Sequence, residues 1–120
     1  MSRELTYAAL NVLAFPKPVR MEDPEYQRFI RRQPCVNDGT AAEAAHIIPA
    51  GHGKTGSKVS DYRLVPLCAR CHRVGARSLH YLGRERFEKY WNIDLDLVQI
   101  QYLEMYVSAL KDGTDLGRRA

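Results

Sequence analysis

The apolar positions along this chain follow two periods. Tyr26, Phe29 and Ile30 recur at the spacing of one helical face. Just ahead of them, Asp23-Pro24-Glu25 reads as a helix start, with Asp23 as N-cap and Pro24 at the first helical position; Pro34 stops the element. Further on the pattern shortens. Ala45-His46-Ile47-Ile48 and Arg63-Leu64-Val65-Pro66-Leu67 predict two short strands, and the glycine-rich residues 51 to 58 between them predict a β-hairpin. Beyond Gly83 the helical period returns, with Phe87, Tyr90 and Trp91 on one face. Asp94 then opens a longer helix whose Leu95, Val98, Tyr102, Met105, Tyr106 and Ala109 are expected to face inward, and Asp112-Gly113 ends it. Helices and a hairpin in this order predict an α+β fold.

Pro16-Lys17-Pro18 fixes φ and removes amide donors, so residues 1–20 are expected to form an extended strap. Residues 21–111 then form one domain and residues 112–120 a mobile tail. A chain of 120 residues suits a single modest core. Its 18 basic and 14 acidic residues leave a net charge of +4, mild enough to permit a polyanionic partner without requiring one. No apolar run reaches the length of a membrane span and the first residues lack signal-peptide order, so a cytoplasmic protein is expected, with its cysteines reduced.

Residues 35–80 hold all four histidines and all three cysteines. Metal ligation can replace burial as a source of stability in such a segment. Cys68-Ala69-Arg70-Cys71 has the C-x-x-C spacing that lets two thiolates grip one zinc ion, and Cys35-Val36-Asn37-Asp38 repeats it with a carboxylate in the last place. A structural zinc on Cys35, Asp38, Cys68 and Cys71 is the sharper reading. The plainer one makes Cys35 a small buried apolar residue and Asp38 the opening of a turn.

His46 ends an apolar strand, a place where histidines are usually structural, but His72 and His80 keep it company. Imidazoles are good ligands for the divalent ions that assist phosphodiester cleavage. On an unbroken helix His72 and His80 would lie about 12 Å apart, too far to share an ion. Joint ligation therefore demands a turn, which Gly75 permits. Asp61 can orient a histidine, pair with Lys58 or cap a turn. Lys54, Lys58, Arg63, Arg70 and Arg73 are candidate phosphate contacts, though such residues are often only solvated.

These residues resemble the small bacteriophage and prophage HNH (ββα-metal) endonucleases related to the recombination enhancement nucleases. The resemblance runs through Pro34-Cys35, Glu43-Ala44-Ala45-His46-Ile47, Ser60-Asp61, Val65-Pro66-Leu67-Cys68, Cys71-His72 and His80, and continues weakly into the flanking helices. It implies that residues 21–111 are an HNH nuclease domain cutting DNA in a bacterial host cell. In that domain His46 would be the general base, with His72 and His80 as ligands of a catalytic magnesium, manganese or zinc ion. Two positions depart from the pattern. Ala45 stands where many members carry a further ligand, and Asp38 where a cysteine is usual. The alternative is a zinc-stapled DNA-binding module whose nuclease site has decayed. The sequence assigns no oligomeric state.

Overall fold

The computed structural model describes residues 21–47 and 59–113. The expected strap, the glycine-rich loop with Lys54 and Lys58, and residues 114–120 lie outside them. The described residues form a mixed α+β fold: α1 (Pro24–Arg31), β1 (Glu43–His46), a 3-10 turn (Asp61–Arg63), β2 (Leu64–Leu67), α2 (Ala69–His72), α3 (Leu79–Leu82), α4 (Arg84–Trp91) and α5 (Leu95–Asp112). Among them, no helix is long and apolar enough to cross a membrane.

Local chemistry sets several boundaries. The Asp23 side chain accepts from the Tyr26 amide at the start of α1, and Asp94 accepts from that of Leu97 at the start of α5. Gly113, at φ +74°, closes α5 in the left-handed conformation that glycine tolerates best. The strands pair antiparallel from Glu43↔Leu67 to His46↔Leu64. This is two residues earlier on the first strand than the apolar run suggested. Arg63, expected in the second strand, instead ends the 3-10 turn that Ser60 caps through the Tyr62 amide.

β2 is buried along its whole length because two apolar clusters meet on it. On one side Val65 and Leu67 pack with Ala45, Ile47, Phe87 and Leu95, around the three cysteines. On the other, Leu64 joins Tyr26, Phe29, Ile30 and Tyr106. Tyr106 meets Tyr26 edge-on at 4.8 Å between ring centroids and Phe29 at 5.4 Å. Burying each large side chain of this kind contributes roughly 1.5–3 kcal/mol.

Two expected inward positions face out. Met105 is exposed because Tyr106, about 100° further round the helix, takes the place against α1. Tyr90 is exposed too, with the Arg77 guanidinium 5.7 Å from its ring centroid, while Phe87 fills the core from α4.

Candidate metal centre and histidine cleft

The first group of chemically capable residues is a thiol and carboxylate cluster built from two turns. After α1 the chain folds back on itself, with the Cys35 amide donating to the Thr40 carbonyl and the Gly39 amide to that of Cys35. Gly39 takes φ +76° to close this turn. The Val36 amide ties it to β2 through the Pro66 carbonyl at 3.1 Å. Cys68 leaves β2 as the N-cap of α2 and Cys71 lies within α2, so the C-x-x-C segment opens against the first turn.

The ligand atoms of Cys35, Asp38, Cys68 and Cys71 all lie within 4.8 Å of one another. All three cysteines are buried and free, and Asp38 is exposed. The Cys68 and Cys71 thiols donate to Asp38 Oδ2 at 3.3 and 3.9 Å. Four ligands placed tetrahedrally about 2.3 Å from a zinc ion stand about 3.8 Å apart, close to this spacing. Nearby donors suit anionic sulfur. The Asn37 amide points at Cys35 Sγ from 3.4 Å, and the Asn37 side-chain nitrogen is buried without a hydrogen-bond partner. The Thr40 hydroxyl and amide hold Asp38 well below the usual carboxylate range. Burial pushes the Cys71 thiol up to about 12. That is the cost of placing a thiolate here without a cation to neutralise it. The donor set fits a metal ion such as zinc.

The second group follows directly. α2 stops after His72, and Gly75 at φ +107° turns the chain so that α3 brings His80 back. The two rings sit edge to face with centroids 4.7 Å apart, which an unbroken helix forbids. His72 Nδ1 lies 2.8 Å from Glu43 Oε1. A carboxylate can only accept, so it holds the proton on Nδ1 and leaves the lone pair on Nε2, the tautomer a metal ligand needs. Arg73 completes the contact through Nη2 at 2.7 Å from Glu43 Oε2. Hydrogen bonds from Arg73 and then His72 hold Glu43 down to about 2. Burial, with help from His72 and Arg73, lowers His80 from its ordinary value and favours its neutral form.

The third group is His46 with Asp61. The His46 ring places Nε2 3.0 Å from Asp61 Oδ1. Asp61 is fully buried, and its Oδ2 accepts from the Asp23 amide at 2.8 Å and from Gln27 Nε2 at 2.6 Å. His46 also lines a cleft of about 470 Å³ together with His80, Arg84, Gly83 and the apolar side chains of Ile47, Leu79 and Leu95.

The candidate phosphate contacts fare differently. Arg70 is 78% exposed and lies 4.0 Å from Asp38. Arg73 is engaged by Glu43, and Arg63 Nη1 faces Gln99 Oε1 at 3.5 Å. Lys54 and Lys58 fall outside the described residues. Glu43 and Gln27 were not singled out for chemistry by residue type. The lone carboxylate in the run Glu43-Ala44-Ala45-His46 was the available signal for the first; Gln27, on a polar helix face, carried none.

Comparison with known proteins gives a family without a stated activity. The family described as "Protein of unknown function (DUF968)" matches residues 8–107. The chain is also 34% identical over 61 residues to "Uncharacterized protein YdfU" of Escherichia coli (strain K12). That stretch is 50% of this chain and 18% of the relative. No solved structure matches the chain.

Proposed function

The chain belongs to the DUF968 family, and from its own geometry we propose that it is a metal-dependent endonuclease of the HNH type, hydrolysing phosphodiester bonds in DNA. The observation that carries this reading is the cleft on which His46 and His80 both stand, next to the His72 ring. In this reading β1, β2 and the helices after them form a ββα-metal core, and a zinc ion on Cys35, Asp38, Cys68 and Cys71 staples its rim.

Hydrolysis needs a water stripped of a proton, a strand held in place and relief for the departing oxygen. His46 takes the water proton on the nitrogen that does not face Asp61. His72 and His80 would hold a magnesium, manganese or zinc ion, which would supply positive charge to offset the negative charge that develops in phosphodiester cleavage. Glu43 keeps His72 in its ligating tautomer. Lys54, Lys58, Arg63, Arg70 and Arg73 supply positive charge for the strand phosphates.

Plasmid nicking in magnesium or manganese tests the assignment. His46→Ala is expected to lose nicking while keeping its far-ultraviolet circular dichroism; cutting at the wild-type rate by that variant would overturn it.

One observation favours a second reading, a zinc-stapled DNA-binding module. Ala45, beside His46, is fully buried in the apolar core and offers no ligand. Metal content separates the two: the nuclease carries a second ion, exchangeable under mild chelation, and the module only the one at the cysteines.

A further inference from the structure

The buried carboxylate of Asp61 stands where the 3-10 turn meets the start of α1, and two amide donors fix one of its oxygens. The Asp23 main-chain amide and the Gln27 side-chain amide both donate to Oδ2, from the start of α1. Oδ1 is turned to His46 Nε2 at 3.0 Å. The Asp61 amide in turn donates to the Met21 carbonyl at 2.9 Å, so both the backbone and the side chain of this residue are tied to the segment that begins α1. A carboxylate held this way has little freedom to turn, and it faces an imidazole whose side chain is 34% exposed.

We propose that Asp61 is a positioning residue that locks His46 in the tautomer with its proton on Nε2 and its basic lone pair on Nδ1, and that α1 holds Asp61 in place through Asp23 and Gln27. The role is orientation, not proton transfer: with Oδ1 as acceptor, an N–H must face it at Nε2, and this decides which nitrogen is left to act as base. Tying the acceptor to a helix start rather than to a loop also fixes the ring plane, because α1 is packed on the aromatic cluster of Tyr26, Phe29 and Tyr106.

Asp61→Asn separates chemistry from volume. The replacement keeps the shape but offers one oxygen and one NH2 group. Its oxygen is held by the Asp23 and Gln27 donors, so the NH2 group faces His46 and donates to Nε2. The ring must then carry its proton on Nδ1, where a base needs a lone pair. An exchanged tautomer of this kind leaves geometry intact and removes most general-base catalysis.

Two measurements on the full chain test this. Nitrogen-15 spectra of the imidazoles, taken where the rings are neutral and assigned by the loss of one ring in His46→Ala, should show the His46 proton on Nε2 in the wild type and on Nδ1 in Asp61→Asn. Plasmid nicking in manganese should fall about 100-fold or more in kcat with KM little changed. A wild-type His46 protonated on Nδ1 overturns the proposal, even if the variant does not fold. So does an Asp61→Asn protein that keeps both the wild-type tautomer and the wild-type rate. The rate rests on the nuclease reading and the tautomer does not: a wild type that never nicks DNA yet shows the expected tautomers sinks that reading alone.

Discussion

Glu43 Oε1 lies 2.8 Å from His72 Nδ1, joining the first residue of β1 to the last residue of α2 across 29 positions of sequence. The same carboxylate holds Arg73 through both oxygens. One acidic side chain therefore sets the orientation of an imidazole and neutralises the guanidinium beside it.

Removing that carboxylate should loosen metal binding at the histidine pair. Glu43→Ala frees His72 to rotate and to change tautomer, and it leaves the Arg73 charge unpaired near the site. Manganese affinity, measured by calorimetry with the cysteine site already loaded, is expected to fall about 10- to 100-fold. Unchanged affinity would show that the Glu43 contact does not support metal binding at His72.

Acid should undo the same contact. Glu43 is held down to about 2 from an ordinary 4.5. Its folded-state value is the lower one, so its contribution is complete above about pH 4.5 and is lost as pH falls toward 2. Urea midpoints followed across this window should drop less steeply in Glu43→Gln than in the wild type. Parallel curves would mean that the Arg73 and His72 contacts do not form in solution.

The thiol cluster makes a separate prediction. Asp38→Cys converts three sulfurs and one oxygen into four sulfurs, a softer set for zinc. Zinc should then be held more tightly in competition with a chromophoric chelator, whereas Cys68→Ala should lose the ion and lower the thermal midpoint. Zinc retained by Cys68→Ala would remove that residue from the ligand set.

Gly75 tests the turn between the two rings. A Cβ there meets nothing within 4 Å, so Gly75→Ala pays only for φ +107°. The penalty should be roughly 1–3 kcal/mol in denaturant unfolding. Manganese binding should weaken as well, because relaxing this residue draws His80 away from His72. A variant as stable as the wild type would show that residue 75 does not adopt this conformation.

Much of the frame was legible from local signals. Asp23, Pro24, Asp94 and Gly113 act within one helical turn, so their roles can be read from neighbours alone. The two x-x spacings that place Cys35 with Asp38 and Cys68 with Cys71 are local in the same sense. Strand register was less legible, because an apolar run of four residues does not say where pairing starts; the contacts of β2 with both clusters fixed it at Glu43↔Leu67. Met105 and Tyr106 are both apolar enough to be buried, and only the aromatic pocket on α1 chose between them.

By itself, then, the sequence determined which side chains were available: the caps, the glycine that permits a break, two pairs of possible metal ligands and the candidate imidazoles of His46, His72 and His80. Which of them meet was decided by tertiary structure. Asp61 reaches His46 across 15 residues, Asp38 reaches Cys68 across 30, and Glu43 reaches His72 across 29. Hydrogen bonds and metal ligation act over about 3 Å, and no pattern along a chain specifies such distances between remote residues until packing on β2 has brought the segments together.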